Sequence, residues 1–175
     1  MLSRQDDAPG ALWFIDKQPL NFRYVDLMLA LFPDAKIIHC RRSCRDTALS
    51  LWMQNFLEDV QGYAYDFDDI MLVMRDCERL MLHWRNRWPD SIRIVEYENL
   101  VADTDGIVGS LMQWIGVPSR QTNTSHANVG SSAISTASLW QARQPVNARS
   151  VGRWKHYADC VPELLRFPDG PTCSR

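Results

Sequence analysis

The chain has 175 residues, 46% of them hydrophobic and 23% charged, with a formal net charge of −2. That is enough apolar material for one globular domain, and it excludes wholesale disorder and binding of nucleic acid through a strongly basic overall field. No run approaches the ~18–20 apolar residues that cross a bilayer, and the opening MLSRQDDAPG lacks the apolar centre of a signal peptide, so a soluble cytoplasmic protein is expected.

Residues 1–11 are expected to be disordered. Residues 12–15 (LWFI) form an apolar run too short for a helix, which predicts a buried strand that delivers Asp16 and Lys17 to its C-terminal edge. Apolar positions at Phe22, Val25, Leu27, Met28, Leu29 and Leu31 predict a helix over 21–32, with Asn21 as N-cap and Pro33 as the stop. Residues 35–40 (AKIIHC) read as the next strand, and Arg41 and Arg42 follow at once. From about Cys44 the pattern is helical, with Ala48, Leu49, Trp52 and Phe56 as the apolar stripe.

A loop over 58–65 leads to the clearest helix. Asp66 is its expected N-cap, and Phe67, Ile70, Met71, Met74, Cys77, Met81, Trp84 and Trp88 recur at steps of three and four until Pro89. This stripe reads as core packing. Residues 92–96 form a third strand, and 103–115 another helix stopped by Gly116 and Pro118. The Ser-, Thr-, Asn- and Gly-rich stretch 119–138 reads as a surface loop, with order resuming at Trp140 and a last helix over 162–166. Residues 167–175 are expected to fray.

Three short strands alternating with helices predict an α/β domain over 12–166, a parallel sheet flanked by helices. Ligands of such sheets lie beyond the C-terminal strand ends, where Lys17, Arg42 and Tyr97 are placed. The cysteines at 40, 44, 77, 160 and 173 are odd in number and form no CxxC pair, so reduced thiols are expected. His39, Cys40 and Cys44 lack a second ligand pair, and no metal is expected.

The stretch KIIHCRRSCRDTALS carries the most chemistry. A strand that ends in Arg and feeds a helix makes an anion site, because free N–H groups and a positive dipole end meet a guanidinium. Ser50, two turns into the helix, could donate to the same anion. The alternative is that Arg42 simply pairs with Asp46 and Ser50 is a tolerated helix residue. On the pattern alone both stay open.

The spacing R-x-x-x-D-x-x-x-S from Arg42 to Ser50, after an apolar strand, resembles the 3′-phosphate motif of sulfotransferases that use 3′-phosphoadenosine 5′-phosphosulfate (PAPS). FPDAKIIHCRRSCRDTALSLWMQNF, YAYDFDDI, LMLHWRNRWPDSIRIVEYENLVAD and TASLWQARQPVNARSVGRWKHY look like a bacterial branch of that family. This branch is related to tyrosylprotein sulfotransferases and is often fused to tetratricopeptide repeats. The resemblance implies a P-loop-containing nucleotide hydrolase-like sulfotransferase fold and transfer of a sulfuryl group from PAPS to an acceptor hydroxyl on a protein, carbohydrate or small molecule.

It further implies that Arg42 and Ser50 hold the 3′-phosphate, that Tyr97 lies near the adenine and that Lys17 stabilises charge on the leaving oxygen. Ser150 corresponds to a serine near the transferred group, and Arg149 and Arg153 are candidates for nucleotide phosphate. Against these stand blander readings: Lys17 paired with Asp16, Tyr97 closing the core, and 143–157 a solvated basic loop with Trp154 as a packing anchor.

Two departures bear on activity. Gln18, Pro19 and Leu20 follow Lys17 where the small-molecule branch has a His base, and no phosphosulfate-loop string occurs in the sequence. The expectation is therefore an N-terminally truncated, incomplete domain. A catalytically inactive nucleotide-binding or interaction module of the same fold is the alternative. A sheet edge left open where a first strand should lie would favour self-association.

Overall fold

A computed structural model describes residues 13–56, 61–117 and 148–173. The elements, in chain order, are helix α1 (Val25–Leu31), strand β1 (Ile37–Arg41), helix α2 (Cys44–Trp52), helix α3 (Phe67–Arg87), strand β2 (Ile92–Glu96) and helices α4 (Tyr97–Ala102) and α5 (Thr104–Ile115). Single turns of 3-10 helix precede α1 and α3 and build the C-terminal part at Ala148–Ser150, Arg153–His156 and Pro162–Arg166.

The mixed α/β class and the parallel pairing agree with the sequence, but among the described residues the sheet has two strands. β1 and β2 run parallel from Ile37↔Ile92 to Arg41↔Glu96. The strand expected over 12–15 is not formed at its described positions. Trp13, Phe14 and Ile15 are irregular, and Ile15 is 87% exposed. A short apolar run becomes a strand only when a neighbour takes its backbone hydrogen bonds, and among the described residues neither outer edge of the β1–β2 pair does so.

Parallel strands usually read as apolar because both faces are covered. Here β1 alternates: Ile37, His39 and Arg41 are half-buried, while Ile38 and Cys40 are exposed. One face of β1 therefore meets solvent.

α3 is the spine. Its N-cap Asp66 accepts from the amides of Asp68 and Asp69, as the sequence predicts. Its first half puts Ile70 and Met71 into a core with Cys44, Ala48, Leu49, Trp154, Leu164 and Phe167. Its second half puts Met81 against Phe22, Val25, Leu29 and Ile92. The predicted stripe is thus split between two clusters on one helix.

Residues 21–32 open as a 3-10 turn before α1 begins, and Asn21 does not cap; its amide donates to Asp16 at 2.8 Å. α5 matches its prediction, with Asp103 capping the Gly106 amide and Gly116 in the left-handed conformation at the stop. The 162–166 helix is a 3-10 helix.

The C-terminal residues overturn two expectations. Residues 167–173 pack rather than fray: Phe167 and Cys173 are buried, the Gly170 carbonyl accepts from the Cys44 amide at 2.7 Å, and the Phe167 carbonyl accepts from Arg45 Nε at 2.9 Å. Cys44 and Cys173 form a disulfide, which corrects the expectation of five reduced thiols; Cys40, Cys77 and Cys160 are free. Counting and spacing could not reveal this pair, because its members are 129 residues apart and meet only after the tail folds over α2. The expected disordered residues 1–11, most of the 58–65 loop's first half, the 119–138 loop and Trp140 lie outside the described residues.

Candidate functional site

β1 and β2 end level with each other, and their last paired residues are Arg41 and Glu96. The next residue of each strand is Arg42 and Tyr97. Both therefore leave the sheet side by side, and the Arg42 guanidinium lies 5.4 Å from the centre of the Tyr97 ring. A guanidinium over an aromatic face is attracted by the ring quadrupole and is held in orientation by it.

The C-terminal segment closes over this pair. Arg42 Nη2 donates to the Ser150 carbonyl, which brings a residue 108 positions away in sequence to the start of α2. Asp46, one turn into α2, is 1% exposed. Its carboxylate accepts from the Gly152 amide at 2.7 Å and the Trp154 amide at 2.8 Å, and Oδ1 stands 3.8 Å from Arg42 Nη2. Gly152 has φ +68°, a left-handed conformation that lets the chain turn both amides toward one carboxylate. Trp154 is buried below them, with Arg45 stacked 4.4 Å from its ring centre, and so serves as the expected packing anchor.

The start of α2 retains unspent donors. Its amides are partly used: Ser43 N–H donates to Glu98 Oε1 at 2.9 Å, and Cys44 N–H to the Gly170 carbonyl. Arg42 Nε and Ser43 Oγ, however, are buried without a hydrogen-bond partner among the described residues, as is Arg41 Nε beside them in sequence. Buried polar groups are nearly always paired, so the unpaired donors of two consecutive residues at a helix N-terminus make this a candidate place for an acceptor.

The residues singled out in the sequence are distributed unevenly. Arg42, Tyr97 and Ser150 come together, Ser150 through its carbonyl rather than its hydroxyl. Arg149 is exposed on the same 3-10 turn, and Arg153 lies along Met53 and over Tyr157. Ser50 is exposed on α2 and shares a helix face with Asp46, four residues before it. Lys17 is exposed in the irregular segment ahead of α1, not at a strand end. Asp46, Ser43, Glu98 and the amides of Gly152 and Trp154 were not foreseen as parts of one cluster. Asp46 does carry a sequence signal, a lone carboxylate one turn into an apolar helix face.

A second polar cluster lies under β1. The His39 ring sits 3.7 Å from the Cys77 sulfur on α3; burial, and then the nearby Arg41 charge, lower its pKa to about 4. Burial, followed by the Glu78 charge, pushes the Cys77 thiol up to about 12. Both groups are therefore neutral near pH 7, and Arg41 stands 3.7 Å from both Glu78 and Glu96. Among the described residues no cluster of His, Cys, Asp and Glu could hold a metal ion, and no helix is long and apolar enough to cross a membrane.

Comparison with known proteins gives this arrangement a setting. An uncharacterized protein of Aquifex aeolicus (strain VF5) is 31% identical over 155 residues, which cover 87% of this chain and 20% of the relative. The chain thus spans about a fifth of the length of that relative. The model of the sulfotransferase family matches residues 2–121, a stretch that contains both strands, the Arg42–Ser50 segment and Tyr97. With more than half of its length matched, the chain belongs to the sulfotransferase family.

Proposed function

We propose that this chain carries the part of a PAPS-dependent sulfotransferase that grips the 3′-phosphate of the donor nucleotide. The observation that carries the reading is the pair of orphaned buried donors, Arg42 Nε and Ser43 Oγ, at the start of α2. A phosphate there would accept from both, gain from the helix N-terminus and face a guanidinium already oriented by Tyr97. Ser50, exposed further along the helix, and Arg149, exposed on the closing turn, are the outer contacts of the same nucleotide. Tyr97 borders the adenine.

In the reaction assigned to the whole protein, an acceptor hydroxyl attacks the sulfur of PAPS. The bond from sulfur to the 5′-phosphate oxygen breaks, the hydroxyl proton passes to a base, and adenosine 3′,5′-bisphosphate leaves. Lys17 and Ser150 are the residues of this chain assigned to the charge that grows on the leaving oxygen. The acceptor class is a hydroxyl of a protein, carbohydrate or small molecule.

A second reading, a nucleotide-binding module without turnover, is favoured by one observation: Lys17 is exposed and lies outside the Arg42 cluster. Titration calorimetry with adenosine 3′,5′-bisphosphate tests what the two readings share. Binding by the wild type and its loss in Arg42→Ala are expected, and equal affinities would remove the assignment. Release of labelled sulfate onto an acceptor then separates the enzyme from the module.

A further inference from the structure

A buried carboxylate in the middle of an anion site looks misplaced, since it would repel the phosphate that the site is built to hold. The bonds of Asp46 resolve this. Both oxygens are engaged, Oδ2 by the Gly152 amide and Oδ1 by the Trp154 amide, with Arg42 Nη2 3.8 Å from Oδ1. We propose that Asp46 is the positioning residue of the donor site: it locks the 148–154 turn onto α2 and so fixes where the Arg42 guanidinium points. The proposal rests on the reading that Arg42 meets the 3′-phosphate.

Three observations converge on it. Asp46 is the charged residue found fully buried among the described residues. Removing a carboxylate from water costs several kcal/mol, and here the Gly152 and Trp154 amides and the Arg42 charge offset it, which ties the burial of Asp46 to the closing turn. Second, its partners are backbone amides, whose positions are set by the fold of the turn and not by a flexible side chain. Third, Arg42 Nη2 is shared between Ser150, on that turn, and the Asp46 side. Nη2 is thus held to the turn by its hydrogen bond to the Ser150 carbonyl, with the Asp46 carboxylate at ion-pair distance.

Asp46 therefore acts on the ligand through Arg42 and does not touch it. Its substitution should affect recognition of the 3′-phosphate while sparing the rest of the nucleotide. The test compares affinities for adenosine 3′,5′-bisphosphate and adenosine 5′-monophosphate by calorimetry in the wild type, Asp46→Asn, Arg42→Ala and the double variant. The ratio of the two affinities reports the 3′-phosphate alone.

Asp46→Asn keeps the side-chain shape, and is expected to lower that ratio by roughly tenfold, the effect of a displaced charge-assisted hydrogen bond. In the Arg42→Ala background it should lower the ratio no further, because residues that act as one unit are not additive. An unchanged ratio in Asp46→Asn, or a further equal loss in the double variant, overturns the proposal. A wild type with no preference between the two nucleotides would instead sink the donor-site reading, and the positioning role with it.

Should Asp46→Asn fail to fold, the wild-type amide spectrum decides. The Gly152 and Trp154 amide resonances should shift with adenosine 3′,5′-bisphosphate and stay in place with the 5′-monophosphate. Resonances that respond alike to both nucleotides would refute the link.

Discussion

Arg42 and Tyr97 are 55 positions apart in the chain, yet they are the first residues past the last matched pair of two parallel strands, and the guanidinium of one lies 5.4 Å from the ring centre of the other. The register of the sheet thus sets the geometry of the site. A slip of one residue would send one of the two side chains to the opposite face.

Tyr97→Leu is therefore expected to weaken adenosine 3′,5′-bisphosphate binding. A cation–π contact of about 0.5–1 kcal/mol corresponds to a loss of roughly two- to fivefold, and Tyr97→Phe should keep most of the affinity. Calorimetric affinities of the two variants check this. A Leu variant that binds like the wild type would mean that the ring does not hold the guanidinium.

The Cys44–Cys173 bridge predicts a thiol count. Protein unfolded without reductant should titrate three thiols, those of Cys40, Cys77 and Cys160. Reduction should raise the count to include every cysteine. Cys173→Ser should lower stability by about 2–5 kcal/mol under non-reducing conditions, the usual effect of losing a bridge that closes a long loop. A full set of reactive thiols before reduction would contradict the pairing.

His39 predicts an acid-side loss of stability. Its folded pKa, lowered from 6.5 to about 4 by burial and then by Arg41, lies below its unfolded value. Between those pH values the unfolded chain binds the proton more readily, so stability rises with pH across that window. The contribution is present above pH 6.5 and is lost as pH falls toward 4, an effect of up to about 3 kcal/mol. In His39→Gln this component of the pH dependence should vanish from denaturant midpoints taken between pH 4 and 7. A variant with the same slope as the wild type would place the titration elsewhere.

Gly152 is required for its backbone and not for space. A Cβ there would come no nearer than 3.9 Å to Lys155, but φ is +68°. Gly152→Ala should cost about 1–2 kcal/mol from the left-handed conformation alone. Because the Gly152 amide reaches Asp46, nucleotide affinity should fall as well. Denaturation and calorimetry on the same variant would show both effects, and intact stability would contradict the strain.

Much of the scaffold was legible because it is encoded locally. β2 falls at 92–96, and the cap at Asp66 and the stop at Gly116 sit where a side-chain acceptor and a glycine satisfy helix ends. The failures share a physical cause, dependence on a distant partner. The apolar run at 12–15 has the composition of a strand, but no strand among the described residues pairs with it. α4 escaped notice because it starts directly at the end of β2 with no side-chain cap. FPDGPTC reads as a turn-rich tail, yet Phe167 and Cys173 insert into the core beside α2.

The candidate site divides in the same way. Arg42 and Tyr97 could be placed because strand ends are predictable. The resemblance puts Ser150 near the transferred group, whereas the fold brings its carbonyl to Arg42, a contact that no side-chain reading reveals. For Asp46, the pairing with Arg42 that the sequence left open as the alternative to an anion site is present, at 3.8 Å. Its carboxylate stands beside Arg42 and also gathers the amides that close the site.

The bridge between Cys44 and Cys173 makes a covalent ring of most of the polypeptide, with the end of β2 and the closing turn inside it and β1 just ahead of it. A single peptide-bond cut anywhere inside that ring leaves two pieces that still migrate as one molecule, and they separate only when a reductant is added.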